Sequence, residues 1–385
     1  MSLELDKSAW KRVELGEVAA SSKEKVDPYD GSVDRFVAGE HMDTDDLKIH
    51  RWGDPGEVDL GPAFHRRFRP GQVLYGSRRT YLRKVAVADF DGVCANTTFV
   101  VDTKDPRVLL QEFLPFVMTS DAFHAFAIAE SKGSVNPYVN WSDIARYEFD
   151  LPTLEEQKRI ADLLWTLERH RQKLVALAAT LKLSASVLIS DLRDSHPAVK
   201  YVREVATVRN GQNYPKHMQD GRPGDVPFFK VADLDRPGND RYLTNPGGWV
   251  TSEDVAALSA DILPPGTVVT ARVGAAIRLE RRRALASPAL VDENHLVIRP
   301  HSIDADYLLA VLAETELARS SNGGVVPSLN QKIVGSVGFP DLSPESERRV
   351  GRTYRSLGDV RGSVLAEVAS LVDFRSAVLS AVFGD

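Results

Sequence analysis

Seven basic side chains crowd one short stretch of this chain. Between Leu60 and Lys84 stand Arg66, Arg67, Arg69, Arg78, Arg79, Arg83 and Lys84, with no acidic residue among them. A second cluster, Arg272, Arg278, Arg281, Arg282 and Arg283, lies in the other half. Guanidinium groups at this density are anion-binding chemistry. They neutralise phosphates, which gives affinity, and their forked donors bond guanine bidentately, which gives sequence preference. Gln212, Asn213 and Lys216, in a glycine-led loop with Tyr214, add amides of the kind that pair with adenine, although the same residue types also form plain turns. The net charge of −6 argues mildly against a protein that binds nucleic acid unaided. Positive charge is concentrated rather than abundant, which leaves partners room to supply more.

Other chemistries find little support. Asn136-Pro137-Tyr138 is similar to the N-P-P-Y motif of adenine methyltransferases but lacks one proline, and its counterpart in the other half is Val326-Pro327-Ser328. With no G-x-G-x-x-G loop after a strand, a turn is the better reading. Glu130-Ser131-Lys132 and Glu156-Gln157-Lys158 carry the carboxylate-x-lysine half of a metal-dependent nuclease site, without a strand-borne aspartate to complete it. The nine histidines, among them His41, His50, His65, His124 and His295, show no metal-ligand spacing, and no G-K-[ST] phosphate loop occurs. No catalytic, cofactor-binding or metal-binding residue is therefore predicted. The lone Cys94 excludes an intrachain disulfide and fits a reducing compartment. The N-terminus lacks a signal-peptide core, and no apolar run approaches the roughly 18 residues needed to span a bilayer, so a cytoplasmic protein without membrane contact is expected.

The elements that must position these groups are written twice. Gly133-Ser134-Val135-Asn136-Pro137-Tyr138-Val139-Asn140 aligns with Gly323-Gly324-Val325-Val326-Pro327-Ser328-Leu329-Asn330 at a shift of 190 residues. The same shift brings Phe149 onto Phe339, Glu155 onto Glu345 and Leu167 onto Leu357. Upstream the match survives in patches, Pro70-Gly71-Gln72-Val73 with Pro265-Gly266-Thr267-Val268 among them. Each half thus has a variable front and a constant back.

The backs read as helices of about 40 residues, or about 60 Å at ~1.5 Å per residue. Thr153 with Glu156 forms a reciprocal cap at the first start, and Ser343-Pro344 marks the second. Ile160, Leu167, Leu174, Leu181 and Leu188 fall in heptads, as do Val350, Leu357, Val364, Leu371 and Val378. Helices so long and so matched in phase are predicted to pair as a coiled coil, in a direction the sequence leaves open. The fronts read as mixed strand and helix. Strands are expected at residues 72–75, 84–88, 97–101, 228–231, 267–271 and 295–298, with helices at 109–130 and 306–320. The expected fold is α+β with an internal pseudo-twofold repeat, divided as 1–152, 153–195, 196–342 and 343–385.

Asp150-Leu151-Pro152-Thr153-Leu154-Glu155-Glu156-Gln157-Lys158-Arg159-Ile160 resembles the L-P-x-L-x-E-Q-x-R-I start of the long helices in specificity subunits of type I restriction-modification enzymes. Pro70-Gly71-Gln72-Val73-Leu74 is similar to that family's P-G-x-V-L strand, Asn96-Thr97-Thr98-Phe99 to its N-x-x-F strand, and Val139-Asn140 to the x-N before its closing strand. In the second half Glu347, Pro344 and Val350 replace the glutamine, leucine and isoleucine. The resemblance implies two target-recognition domains, each reading one part of a split site in double-stranded DNA, and paired helices that set their spacing. It also implies partners: two modification subunits that use S-adenosylmethionine, and motor-nuclease subunits that use ATP and magnesium. On that reading the chain carries no catalysis or cofactor of its own. The alternatives are a helical scaffold that reads no DNA, and a self-contained DNA methyltransferase or endonuclease with a degenerate site.

Overall fold

In each half a proline-glycine turn delivers an apolar run into the middle of a sheet, and the sheet then supports one short helix bundle and half of each long helix. The computed structural model describes residues 5–196, 199–214, 224–321 and 327–384. The chain forms two units, Met1–Lys173 with Val368–Asp385, and Leu174–Glu367.

In the first unit Val73–Gly76 lies inside a four-stranded antiparallel sheet ordered Ala19–Ser21, Thr98–Thr103, Val73–Gly76, Val85–Val87. Val73, Leu74 and Tyr75 are all buried because both faces of the strand are covered. Val73 and Tyr75 join the core beneath the helices Leu114–Met118 and Asp121–Ala129, and Leu74 joins a second core with Ala86, Cys94 and Val100. A three-stranded sheet, Phe36–Val37, Gly92–Ala95 and Phe64–Phe68, completes the front. The ribbon of Lys11–Glu14 with Glu148–Leu151 leads the chain into the first long helix.

The second unit repeats the plan with changes at the sheet edges. Its main sheet has five strands, ordered Ala206–Asn210, His295–Pro300, Val268–Ala271, Arg282–Leu285, Tyr242–Leu243. The fifth strand pairs in parallel with Arg282–Leu285, where the first unit has only the single bridge of Lys48 with Val87. The small sheets also differ: Gly92–Ala95 is central in the first unit, whereas Val226–Phe229 is central in the second, between Gly248–Val250 and Leu290–Val291.

The long helices span Leu154–Ser195 and Pro344–Phe383. The first is capped reciprocally, the Glu156 amide donating to Thr153 Oγ1 and the Thr153 amide to the Glu156 carboxylate, each at 3.3 Å. In the first unit Ile160, Ala161 and Leu164 share one core with Val378, Leu379 and Val382. In the second, Ile189 shares a core with Val350, joined by Leu188, Leu192 and Tyr354. The segments run in opposite senses within each unit: Phe383 packs on Phe149, just before the first helix begins, and Arg375 feels the charge of Glu168, further along it. Of the heptad residues, Ile160, Leu174, Val350, Val364 and Val378 are buried, whereas Leu167, Leu181, Leu188, Leu357 and Leu371 are half-buried. A second row, Gln157, Leu164 and Ala178, is buried beside them, because a helix seated on a domain needs a stripe wider than one heptad row.

Two expectations are corrected. The helix expected at 109–130 is interrupted at Thr119-Ser120, where Ser120 Oγ accepts the Phe123 amide and starts a new helix, and the one expected at 306–320 is a helix only over Ala305–Ala313. An 18-residue window of Leu154–Ser195 has a mean hydropathy of 1.6, long and apolar enough by length and composition to cross a membrane. No continuous apolar run marks it, because Thr180, Lys182, Ser184 and Ser186 interrupt its leucines, valines and alanines. A soluble protein's packing helix passes the same test.

Leu164 is fully buried. Leu164→Ala is expected to cost about 2–5 kcal/mol, read as a lowered denaturant midpoint of the first unit. Leu177→Ala, at an exposed helix position, should stay within about 0.5 kcal/mol of the parent.

Candidate nucleic-acid interface

The basic loop of the first unit begins where the Val73–Gly76 strand ends. One tight turn, Thr80–Leu82, is held between Arg79 and Arg83, both in the left-handed region with φ of 51° and 50°. The segment 133–140 is stitched alongside: the Arg79 amide donates to the Pro137 carbonyl at 2.6 Å, and the Val139 amide to the Ser77 carbonyl at 3.0 Å. Between the two lies a cleft of about 500 Å³ whose lining includes Arg78, Arg79, Lys84, Thr97 and Asn136. The side chains of Arg78 and Arg79 are exposed and, among the described residues, make no hydrogen bond or ion pair. Tyr138 pairs with Arg78 by a backbone bridge, and Val135 at the loop tip is 85% exposed. From sequence this segment reads as a turn. The legible signal was a valine and a tyrosine placed among turn residues.

The other cations of this cluster already have partners. Arg66 donates to the Thr98 carbonyl, Arg67 holds Asp91 at 2.7 Å, and Arg69 holds Glu24 at 2.6 Å. Arg83 is shared by Asp45 and Asp121 at 2.8 and 2.7 Å, and Lys84 donates to the Gly39 carbonyl. A stretch without acids is not a surface without acids, because strand pairing and loop return bring carboxylates from elsewhere.

The second unit stitches its loop in the same way. The Gly274 amide donates to the Pro327 carbonyl at 2.9 Å, and the Leu329 amide to the Arg272 carbonyl at 2.8 Å. By these bonds and the strand registers, Arg272 corresponds to Ser77, Gly274 to Arg79, Arg281 to Lys84, and Arg282 and Arg283 to Val85 and Ala86. The expectation of a solvent-facing loop at Arg282 and Arg283 is therefore corrected. Both lie in the Arg282–Leu285 strand, paired with Thr270 and Val269, and are buried. Arg281 holds Asp235 at 2.5 Å, and Arg272 Nε donates to the Glu293 carbonyl at 2.9 Å. Arg278 is exposed and unpartnered among the described residues. Gln212 Nε2 reaches the Asn213 carbonyl at 3.4 Å, while Lys216 lies outside the described residues. The triplets set aside above are also occupied: Lys132 pairs with Asp143 at 2.8 Å, Glu130 with Arg146 at 2.5 Å, and Glu156 caps its helix.

Residues 66–179 match the family model described as the type I restriction modification DNA specificity domain. Over that stretch the chain is similar to the specificity subunits of type I restriction enzymes. It is 26% identical over 173 residues to the type I restriction enzyme EcoDI specificity subunit of Escherichia coli, a match covering 45% of this chain and 36% of the relative. A second match, 22% identical over 198 residues, is to the HindI specificity subunit of Haemophilus influenzae, covering 47% of this chain and 40% of the relative. The chain thus spans well under half the length of these curated relatives in the matched segments. Its fold is similar to the crystal structure of the type I restriction-modification S subunit from M. genitalium, with a TM-score of 0.65 at 16% identity over the full length of both chains.

The first basic loop packs on the helix Asp121–Ala129, which carries the buried His124. Neither ring nitrogen has a hydrogen-bond partner among the described residues, and burial, reinforced by Arg83, pushes its pKa down to about 3. The unfolded chain takes up that proton near pH 6.5, so the folded state loses stability as pH falls below about 6.5, at about 1.4 kcal/mol per pH unit for this group. His124→Leu should flatten that part of the stability curve, measured by denaturant melts between pH 7 and pH 4. Arg79 lies in the left-handed region with φ of 51° and ψ of 57°, whereas its counterpart Gly274 shares the positive φ, 78°, with a ψ of −169°. Arg79→Gly is expected to leave stability unchanged or raise it by up to about 1 kcal/mol, since relief of the left-handed strain offsets glycine's added chain entropy.

Proposed function

We propose that this chain is the DNA-recognition subunit of a type I restriction-modification enzyme, in which each half reads one part of a bipartite site. The observation that carries the reading is the exposed, unpaired Arg78 and Arg79 over a cleft that also holds Asn136, in a chain similar to the specificity subunits. Unpaired guanidiniums release counterions when they meet phosphates, and they keep their donor forks free for guanine. In the second unit the exposed Arg278, at a different position of the same loop, is the proposed reader. The two copies differ most in the loops and sheet edges, which fits two readers of unlike half-sites on a common frame.

The long helices, in this reading, set the spacing of the half-sites and dock two methyltransferase subunits. Exposed apolar residues on them, including Leu177, Leu183 and Val187 on the first and Val360 and Leu365 on the second, are the proposed docking positions. Methylation with S-adenosylmethionine, and ATP- and magnesium-dependent cleavage, belong to the partner subunits. The chain itself is non-catalytic and works in the cytoplasm, where the DNA is.

Methylome sequencing of a host with and without this chain should show one split, adenine-methylated motif that depends on it. In the assembled complex, Arg78→Glu with Arg79→Glu should weaken DNA binding and reduce the salt-dependence slope by about 2, at about 0.9 per lost phosphate contact. Arg67→Ala should change binding little, because Asp91 already neutralises that guanidinium. Binding and salt dependence unmoved by the double reversal would favour a scaffold over a reader.

A further inference from the structure

Both units seat their part of the helix pair against the edge of the main sheet, and the charges at that seat are not the same in the two copies. The 190-residue shift relates Glu168 to Gly358, Arg171 to Arg361 and Arg375 to Ala185. The parallel pairing of Lys48 with Val87, matched by Tyr242 with Ala284, relates Asp46 to Asp240 and Leu47 to Arg241. Val85 and Ala86 correspond to Arg282 and Arg283, as above.

In the first unit the seat is filled by ion pairs. Arg171 holds the buried Glu168 at 2.7 Å and Asp46 at 3.1 Å, and Arg375 donates to Thr119 Oγ1 at 3.0 Å. In the second unit the position of Glu168 is Gly358, and there a cavity of about 210 Å³ opens. Its wall carries Lys182, Arg241, Arg282, Arg283 and Arg361, against only Asp240 and Glu314. Glu314 is already engaged, accepting from Tyr354 Oη at 2.8 Å and from Ser186 Oγ at 2.7 Å.

The guanidiniums here are hydrogen-bonded but only partly neutralised, Arg282 having a carboxylate of its own and Arg283 none among the described residues. Arg282, 3% exposed, pairs with Glu280 and donates to the Thr315 carbonyl, yet its Nε finds no acceptor among the described residues. Arg283 donates to the carbonyls of Asn239 and Arg282 rather than to any carboxylate. Arg241 donates to the Tyr354 carbonyl, its Nε and Nη2 lack acceptors, and its nearest carboxylate, Asp306 at 3.7 Å, is shared with Arg355. Burial lowers the pKa of both Arg282 and Arg283, the latter to about 10. Carbonyls satisfy hydrogen bonds but cancel no charge, so buried cations in this number call for a counter-anion.

We propose that this cavity of the second unit is an anion site for a phosphate-bearing small molecule, whose oxygens stand where the Glu168 carboxylate stands in the first unit. Recognition is by the cationic lining, Lys182, Arg241 and Arg361, and Gly358 leaves the room. The site lies within one unit and does not depend on the DNA-reading assignment.

The test uses the full chain at constant ionic strength, with inorganic phosphate, and separately a nucleoside monophosphate, replacing chloride. The wild type should show a saturable rise in melting temperature. A response to inorganic phosphate assigns the free ion, and a response to the nucleotide alone assigns a larger phosphorylated ligand. Gly358→Glu places a carboxylate in the cavity, near the movable end of Arg241, 3.1 Å from the new Cβ; it should melt higher in chloride and lose the response. Gly358→Ala should keep it. Equilibrium dialysis of labelled ligand with the wild-type chain needs no variant: saturable binding supports the site. Absence of binding of either ligand, or an equal thermal response in wild type and Gly358→Glu, overturns it.

Discussion

The fold depends on burying a broad apolar stripe along two helices that have no domain of their own. A helix of 42 residues cannot hide its leucines by itself, and here each helix gives one part of its length to each of two cores. Leu164 and Val382 are as deeply buried as the central strands of the first unit, so helix packing and domain packing are one energetic event there. The seam must be wider than a coiled-coil row for that reason, since it faces a sheet domain as well as another helix.

Duplication supplies the frame, and departures from it supply the chemistry. The stitching of the basic loop to the following turn is made by the same backbone bonds in both units, while the side chains on that scaffold are unlike: Arg79 in one copy is Gly274 in the other, and Ser77 is Arg272. Backbone bonds carry no side-chain information, so a loop fixed through its amides is free to vary at its surface. The same logic holds at the helix seat, where an ion-paired cluster in one copy becomes a cationic cavity in the other through a glycine in place of a glutamate and two arginines in place of Val85 and Ala86.

Charge in this chain is governed by where carboxylates arrive from. Arg67, Arg69 and Arg83 are neutralised by Asp91, Glu24, Asp45 and Asp121, none of which lies in the basic stretch. Arg78 and Arg79 escape because their turn projects from the sheet and its neighbour, the segment 133–140, offers them backbone rather than acids. Unneutralised positive charge in this stretch is therefore a small part of what the composition advertises.

Sequence alone determined the duplication and the helix starts, because these rest on local patterns: a reciprocal cap at Thr153 and Glu156, apolar residues at heptad spacing, and a proline-glycine turn before an apolar run. It also located most strands of the main sheets to within a few residues. It could not say which arginines face solvent. Arg282 and Arg283 read as a loop because three arginines in a row look polar, yet strand register sends them inward, and the accepting carbonyls of Thr315 and Asn239 come from segments far along the chain. The opposite sense of the helix segments, the partnering of Arg67 and Arg83, and the cavity beside Gly358 were likewise decided only by tertiary structure, because each depends on groups brought together across long sequence separations.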